Sequence, residues 1–324
     1  MKRGFLGRRR RRLLTRRDVA VVAVMLGIPL LLEALLIWGP ALASVGLSFT
    51  KWTGVGGVTL QSCDSLPSVP GIPQPGCLYG VRNYEQAFTT YPDFWPAVRH
   101  NIIWLLVFVC FATPLGMLFA VVIDRGIRGS RIYQSILFLP VMLSLALIGI
   151  IWELIYSPNF GLVNSLLHRT GDDNLIDWLG DPSLNLWALL VEASWRQAGY
   201  VMILYLAGLK AVDPALREAA LMDGASAWQT FWRVVFPAMR PINIVVMVVT
   251  VIESLRAFDL VYITSGGNPL KGLELLSVAV TQNIVGETQR IGFGSTLGVI
   301  LLVISLVPIT LFLYQAFRRE EARS

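Results

Sequence analysis

Six long apolar stretches, at 19–38, 101–123, 132–156, 187–209, 242–264 and 293–317, limit what this chain can fold into. A hydrocarbon core about 30 Å thick takes roughly 20 helical residues to cross, and each stretch is long enough. In lipid a spanning segment must satisfy every backbone N–H and C=O group internally, which leaves helices or a closed barrel, and the period-2 alternation of a barrel is absent. Composition agrees: 55% of the 324 residues are hydrophobic and 15% charged, too little polar surface for a water-soluble fold of this size. The expectation is an all-α, polytopic membrane protein with six transmembrane helices.

Basic residues flanking a span are held on the cytoplasmic side. With both termini cytoplasmic, Lys2, Arg3, the run Arg8 to Arg12, Arg16, Arg17, Arg125, Arg128, Arg131, Lys210, Arg217, Arg233, Arg240, Arg318, Arg319 and Arg323 share that side. The other keeps only Lys51, Arg82, Arg99, Arg169, Lys271 and Arg290. This topology accounts for the net charge of +6 without nucleic acid. It divides the chain into a basic cytoplasmic N-terminus (1–18), a first helix (19–48), an extracytoplasmic loop (49–97), a five-helix core (98–317) with a cytoplasmic loop at 209–241, and a cytoplasmic tail (318–324), all in the cell membrane. The basic start, the apolar run and Ala41 to Ala43 also resemble a cleaved signal peptide, but the run exceeds the roughly 7–15 residues of a signal core, so it is read as a retained span.

Cys63 and Cys77 fall in the first outer loop, where an oxidising compartment would let them pair; two free thiols are the alternative. Cys110, inside the second span, reads as a small packing residue. A second outer segment, 157–183, has Asn159 or Asn164 as a cap and Leu162, Leu166 and Leu167 as the apolar side of a short surface helix. No phosphate-binding G-x-x-x-x-G-K-[ST] loop, nucleophile elbow or H-E-x-x-H helix occurs, and His100 and His168 lack metal-site spacing. No enzyme activity or metal site is therefore expected in this chain.

The cytoplasmic loop carries the densest local signal, DPALREAALMDGASAWQTFWRVVFPAMRP at 213–241. Asp213 before Pro214 starts a helix, Leu216, Ala219 and Ala220 give it a slim face, and Gly224 suits a left-handed end. Ser226 with Gln229 caps a second helix, on which Trp228, Phe231, Trp232 and Val235 share one side before Pro237 stops it. Such a pair is a docking element, or a loop folded back on its own spans. Inside the spans, Glu192 and Arg196 stand four apart and can pair, and Glu253, Arg256 and Asp259 form an acid–base–acid row on one helix face. Buried charges are costly, so the row either fixes helix register or lines a path, with Trp195, Tyr200, Phe258 and Tyr262 as aromatic rings beside it.

Glu218-Ala219-Ala220, then Asp223-Gly224-Ala225, then Phe231, Val234, Phe236 and Pro237 resemble the EAA motif of permease subunits of binding-protein-dependent ATP-binding-cassette importers. The flanking LAGLKAVDPALREAA and AFDLVYITSGGNP resemble the sugar-importing, maltose-type branch, with departures at Phe236, Ser265 and Asn268. The resemblance covers most of the chain beyond Asn101. It implies a type I importer permease fold in which Glu218, Ala219, Ala220, Asp223 and Gly224 form the coupling helix that docks on a separate ATPase. It also implies a second permease subunit, two ATPase subunits that hold ATP and Mg, and an extracytoplasmic solute-binding protein; this chain itself would bind no cofactor. Glu253, Arg256, Asp259, Tyr262, Glu192 and Arg196 are then candidates for the path of a sugar or oligosaccharide. Two acids to one base in the fifth-span row favour a neutral polyol. A different solute, such as glycerol phosphate or a polyamine, and an ion-coupled secondary transporter are the alternatives.

Overall fold

A computed structural model describes residues 16–65, 76–169, 175–265, 271–286 and 289–321. The basic run at Arg8 to Arg12 and Asn268 lie outside them. The first apolar stretch is helical as α1 (Arg16–Glu33), a π-turn (Ala34–Trp38) and α2 (Gly39–Leu47). A cap follows, made of β1 (Thr50–Lys51), β2 (Val58–Ser62), β3 (Gly76–Leu78) and α3 (Arg82–Thr89). The second span is one long helix, α4 (Phe94–Val107), a π-turn (Phe108–Ala112) and α5 (Thr113–Asp124). Then come α6 (Ser130–Met142), α7 (Leu145–Tyr156), the single-turn α8 (Leu162–Leu166) and α9 (Asn185–Ala211). A hairpin of α10 (Pro214–Met222), α11 (Ala227–Thr230), a π-turn (Phe231–Val235) and α12 (Phe236–Ala238) leads to α13 (Arg240–Leu255), α14 (Asp259–Thr264), α15 (Leu276–Ile284) and α16 (Ile291–Glu321).

The span count differs from the sequence expectation. Among the described residues, three helices are long and apolar enough to cross a membrane, Ala20–Leu47, Phe94–Asp124 and Ile291–Leu311, and five if each bent pair is one span. The 132–156 stretch is bent by 103° between α6 and α7. Leu143 and Ser144 are extended there, and the Ser144 hydroxyl accepts from the Leu147 N–H, so a new helix starts where Pro140 has weakened the old one. The 242–264 stretch is not among the five. Its helix stops at Leu255, Phe258 N–H closes a tight turn on the Arg256 carbonyl, and α14 restarts at Asp259.

Sheet structure in the first loop corrects the strictly all-α expectation. β3 pairs antiparallel with β1 (Lys51 opposite Cys77) and parallel with β2, giving the order β1-β3-β2. Cys63 and Cys77 are disulfide-bonded in this cap. Its polar groups are satisfied across the chain: buried Asn83 donates to the Ser48 and Thr50 carbonyls, and Thr296 of α16 donates to Ser48 O at 2.9 Å. Outside the spans, Arg82 holds Asp64 with two hydrogen bonds, at 2.9 and 2.8 Å. That bond and then the guanidinium charge lower the Asp64 pKa below its ordinary value.

α9 is the axis of the bundle. It packs on α5 at Gly116, where a Cβ would lie 2.6 Å from the Ala198 carbonyl oxygen, and on α6 at Gly199, where a Cβ would meet the Leu137 carbonyl. Small residues at both crossings let backbones approach closely, the means by which helices associate in lipid. Trp104, Phe108, Ile148, Leu189 and Leu260 fill one core cluster, and Val201, Met202, Tyr205, Val235 and Met239 a second nearer the hairpin. Cys110 is exposed rather than packed, within the π-turn of the second span. Asn164 is not a cap: Gly161 precedes α8, and buried Asn164 donates to Pro158 O and Ile176 O and accepts from Trp178 Nε1.

Candidate functional site

Two features bear on function: a charged cavity inside the bundle and the hairpin at one end of it. The cavity is lined by Glu192, Arg196, Glu253, Arg256 and Asp259, with Trp104 and Phe108 as aromatic walls. The structure thus gathers all five charged candidates at one place, by a route the sequence did not predict. Glu253, Arg256 and Asp259 do not share a helix face, because the chain turns between Arg256 and Phe258; the turn itself brings Asp259 back to the cavity.

Nor do Glu192 and Arg196 pair with each other. Arg196 Nη1 reaches across to Glu253 Oε2 of α13 at 3.3 Å, a cross-helix bond its long stem allows. Glu192 is left fully buried, and neither carboxylate oxygen has a hydrogen-bond partner among the described residues. Trp104 Nε1 and Arg196 Nε, on the same cavity, are also without partners among the described residues. Buried polar atoms are rarely orphaned, because each costs about 1–3 kcal/mol; a cluster of donors and acceptors around a void is suited to a hydroxyl or a water, which both gives and accepts. The void has room of about 40 Å³ for the centres of water molecules. A space of this measure needs roughly 10–15 Å³ to hold a water, so water can occupy it.

Tyr262 does not line this cavity; it stacks on Phe258 at 4.9 Å, turned aside by the same break. Trp195 meets Trp152 edge-on at 5.8 Å. The walls are instead Trp104 and Phe108, which sequence reasoning missed although Asn101, Trp104 and Phe108 recur at helical spacing in the second span and are all buried.

Local chemistry builds the hairpin. Asp213 accepts from the Ala215 N–H at 2.9 Å and Pro214 takes the first helical position, so α10 leaves α9 at 72°. Gly224 has φ +81°, a conformation costly for residues with a Cβ, and ends α10. Ser226 and Gln229 form the reciprocal capping box of α11. The second helix departs from the expected single period: a π-turn at Phe231–Val235 interrupts it, and Pro237 continues into α12 instead of stopping it. Phe236 N–H bonds to Phe231 O across that wider turn, and Pro237 sits where a new helical start leaves its missing N–H harmless. Glu218, Ala219, Asp223 and Gly224 are exposed and Ala220 half-buried, as Met222 and Trp228 project at 89% and 71% exposure.

The sequence matches the family of binding-protein-dependent transport system inner membrane components over residues 112–322. It is 32% identical over 248 residues to the osmoprotective compounds uptake permease protein GgtC of Synechocystis sp., covering 75% of this chain and 86% of that one. It is 27% identical over 294 residues to the xylose/arabinose import permease protein XacH of Haloferax volcanii, covering 90% and 87%. Among solved structures, a chain of a bacterial alginate ABC transporter, in complex with alginate pentasaccharide-bound periplasmic protein, superposes with a TM-score of 0.74 at 20% identity. That alignment covers 93% of this chain and 95% of the other and establishes a shared fold. The matched segment takes in most of the cavity and the whole hairpin, and the chain belongs to the binding-protein-dependent transport system inner membrane components, the permease subunits of ABC importers.

Proposed function

We propose that this permease carries a neutral sugar or oligosaccharide inward by alternating access, driven by a separate ATPase that docks on the hairpin. The observation that carries the reading is the hairpin itself. Glu218, Ala219, Asp223 and Gly224 stand exposed on a short, firmly capped helix pair, with Leu216, Leu221, Met222 and Trp228 exposed beside them. Apolar surface of this kind, rimmed by polar groups, marks a protein interaction site. In this reading Glu218 is the polar contact, Ala219 and Ala220 the close-packing surface, and Gly224 the turn. ATP and Mg are held by two partner ATPase subunits, a second permease completes the membrane part, and an extracytoplasmic binding protein delivers the solute. Both termini and the 209–241 loop face the cytoplasm of the inner membrane.

The cavity supports the solute class. Glu253 and Asp259 equal Arg196 and Arg256 in number, which leaves no surplus of cation for an anionic solute, and Trp104 and Phe108 supply apolar walls beside unpaired polar atoms. The cavity is narrow in this conformation, and alternating access widens and closes it as solute passes. The name of XacH, a xylose/arabinose import permease, supports the same class.

The test is ATP hydrolysis in nanodiscs by this chain co-purified with its ATPase and partner permease, with binding protein loaded with individual sugars, for wild type and Glu218→Lys. Stimulation by one loaded binding protein that Glu218→Lys abolishes is the expected result and names the solute. Hydrolysis indifferent to both would refute the docking role and leave the charged cavity as an ion-coupled path.

A further inference from the structure

The hairpin is tied to the bundle by an ion pair that docking alone does not require. Arg217 of α10 donates through Nη1 to Asp124 Oδ2 at 2.8 Å and through Nη2 to the Leu209 carbonyl at 2.7 Å. Asp124 is the last residue of α5 and Leu209 lies in the last turn of α9, so one guanidinium bridges two span ends. Lys210 Nζ adds positive charge 3.9 Å from Asp124 Oδ1. The Asp124 side chain is 14% exposed, which shields the pair from water far better than the open Arg82–Asp64 pair of the cap.

Beside this pair is an open groove with room of about 170 Å³, walled by Val121, Leu221, Phe231 and Val235, on which Arg217 Nε and Thr230 Oγ1 have no partners among the described residues. Where water fills such a groove, side chains have no packed neighbour across it, so dispersion contacts there oppose displacement only weakly. Here α10 is held by hydrogen-bonded charge across a gap, which resists both approach and withdrawal. Beyond Asp124 there is no slack, because Gly116 seats α5 directly on the α9 backbone. At its far end α5 continues from the π-turn whose Phe108 walls the charged cavity.

We propose that Arg217 and Asp124 are positioning residues, a strut that converts displacement of α10 into displacement of the α5–α9 pair and of the Phe108 wall. The inference rests on the docking role proposed above. Arginine is required because its planar fork serves two acceptors in fixed directions, whereas lysine keeps the charge and holds one.

The complete transporter tests this in nanodiscs, with Cys110→Ser to remove the exposed thiol and Ala193→Cys as a reporter on the cavity. The readout is the rate at which a water-soluble maleimide labels that cysteine in nucleotide-free and ATP–vanadate-trapped complexes. Nucleotide should change the rate by about fivefold or more with Arg217 and Asp124 in place, the low end of a coupling between two sites. With Arg217→Lys or Asp124→Asn the ATPase should still co-purify and hydrolyse ATP at its basal rate, while the labelling response falls below about twofold. A merely structural role would lower assembly and basal hydrolysis together and so overturns the proposal, as does a full response in Arg217→Lys, which keeps the charge and is the variant that decides if Asp124→Asn fails to assemble. Glu218→Lys separates the two ideas: if it leaves co-purification and response intact the docking role fails, and if it abolishes both while Arg217→Lys responds as wild type, only the strut fails.

Discussion

Glu192 shows how far charge can be read one residue at a time. That a carboxyl lies inside a span, and needs a reason to be there, is evident from the sequence. Its partner is not, because four-residue spacing permits a bond to Arg196 that Glu253 takes instead. With both oxygens unpartnered among the described residues and no exposure, Glu192 holds a destabilising position in the free chain. Glu192→Leu should raise stability by about 1–3 kcal/mol, the cost of an unsatisfied buried group, while lowering uptake. Thermal melting of the purified chain in detergent reads the first part, and a fall in melting temperature would mean that the carboxyl has a partner. At the surface, Asp64 makes the opposite case. Its pKa is lowered by the Arg82 hydrogen bond and charge, so its share of cap stability is present above the ordinary value of 3.8 and lost as pH falls through the lowered native value. Reduction of the Cys63–Cys77 bond by a phosphine should therefore keep a steady rate from about pH 5 to the ordinary carboxylate value and accelerate below it, and Asp64→Asn should remove that step.

Among elements, the hairpin was the most legible because its determinants are local. Asp213 with Pro214, Gly224, and Ser226 with Gln229 each fix backbone within a turn of themselves, whatever surrounds them. Two substitutions follow at this scale. Gly224→Val places a β-branched residue at φ +81° and should cost about 1–2 kcal/mol and reorient α10 relative to α11. Ser226→Ala should cost about 1 kcal/mol and speed amide exchange in the first turn of α11, leaving α10 protected. Hydrogen exchange followed by peptide mapping separates the two, and uniform loosening of the hairpin by either would contradict the local account. The π-turns at Phe108 and Phe231 and the break after Leu255 were not legible. Each is a choice between nearly equal backbone hydrogen-bonding patterns, decided by what packs against it.

For the whole molecule, the cap and the bundle depend on closures between distant parts of the chain. The Cys63–Cys77 bond spans 14 residues, and closing a loop of that size removes about 3 kcal/mol of unfolded-chain entropy, so Cys63→Ser should loosen the cap by up to that amount. Limited proteolysis of the 49–97 region reads this, and equal resistance in wild type and variant would show the sheet to be self-sufficient. Gly116→Val would drive a side chain into the Ala198 carbonyl and Val201, separate α5 from α9, and greatly reduce the yield of folded protein. The sequence by itself determined that the chain is a helical membrane protein with a capped hairpin, because hydrophobic run length and short-range capping are properties of neighbouring residues; that the hairpin is of importer-permease type rested on its resemblance to the EAA motif. Only the tertiary structure decided how the 132–156 and 242–264 stretches break, which charges meet, that Trp104 and Phe108 wall the cavity, and that Arg217 holds Asp124. Those outcomes depend on side chains tens to more than a hundred residues apart competing for the same space and the same hydrogen-bond partners, and no local pattern ranks such competitors.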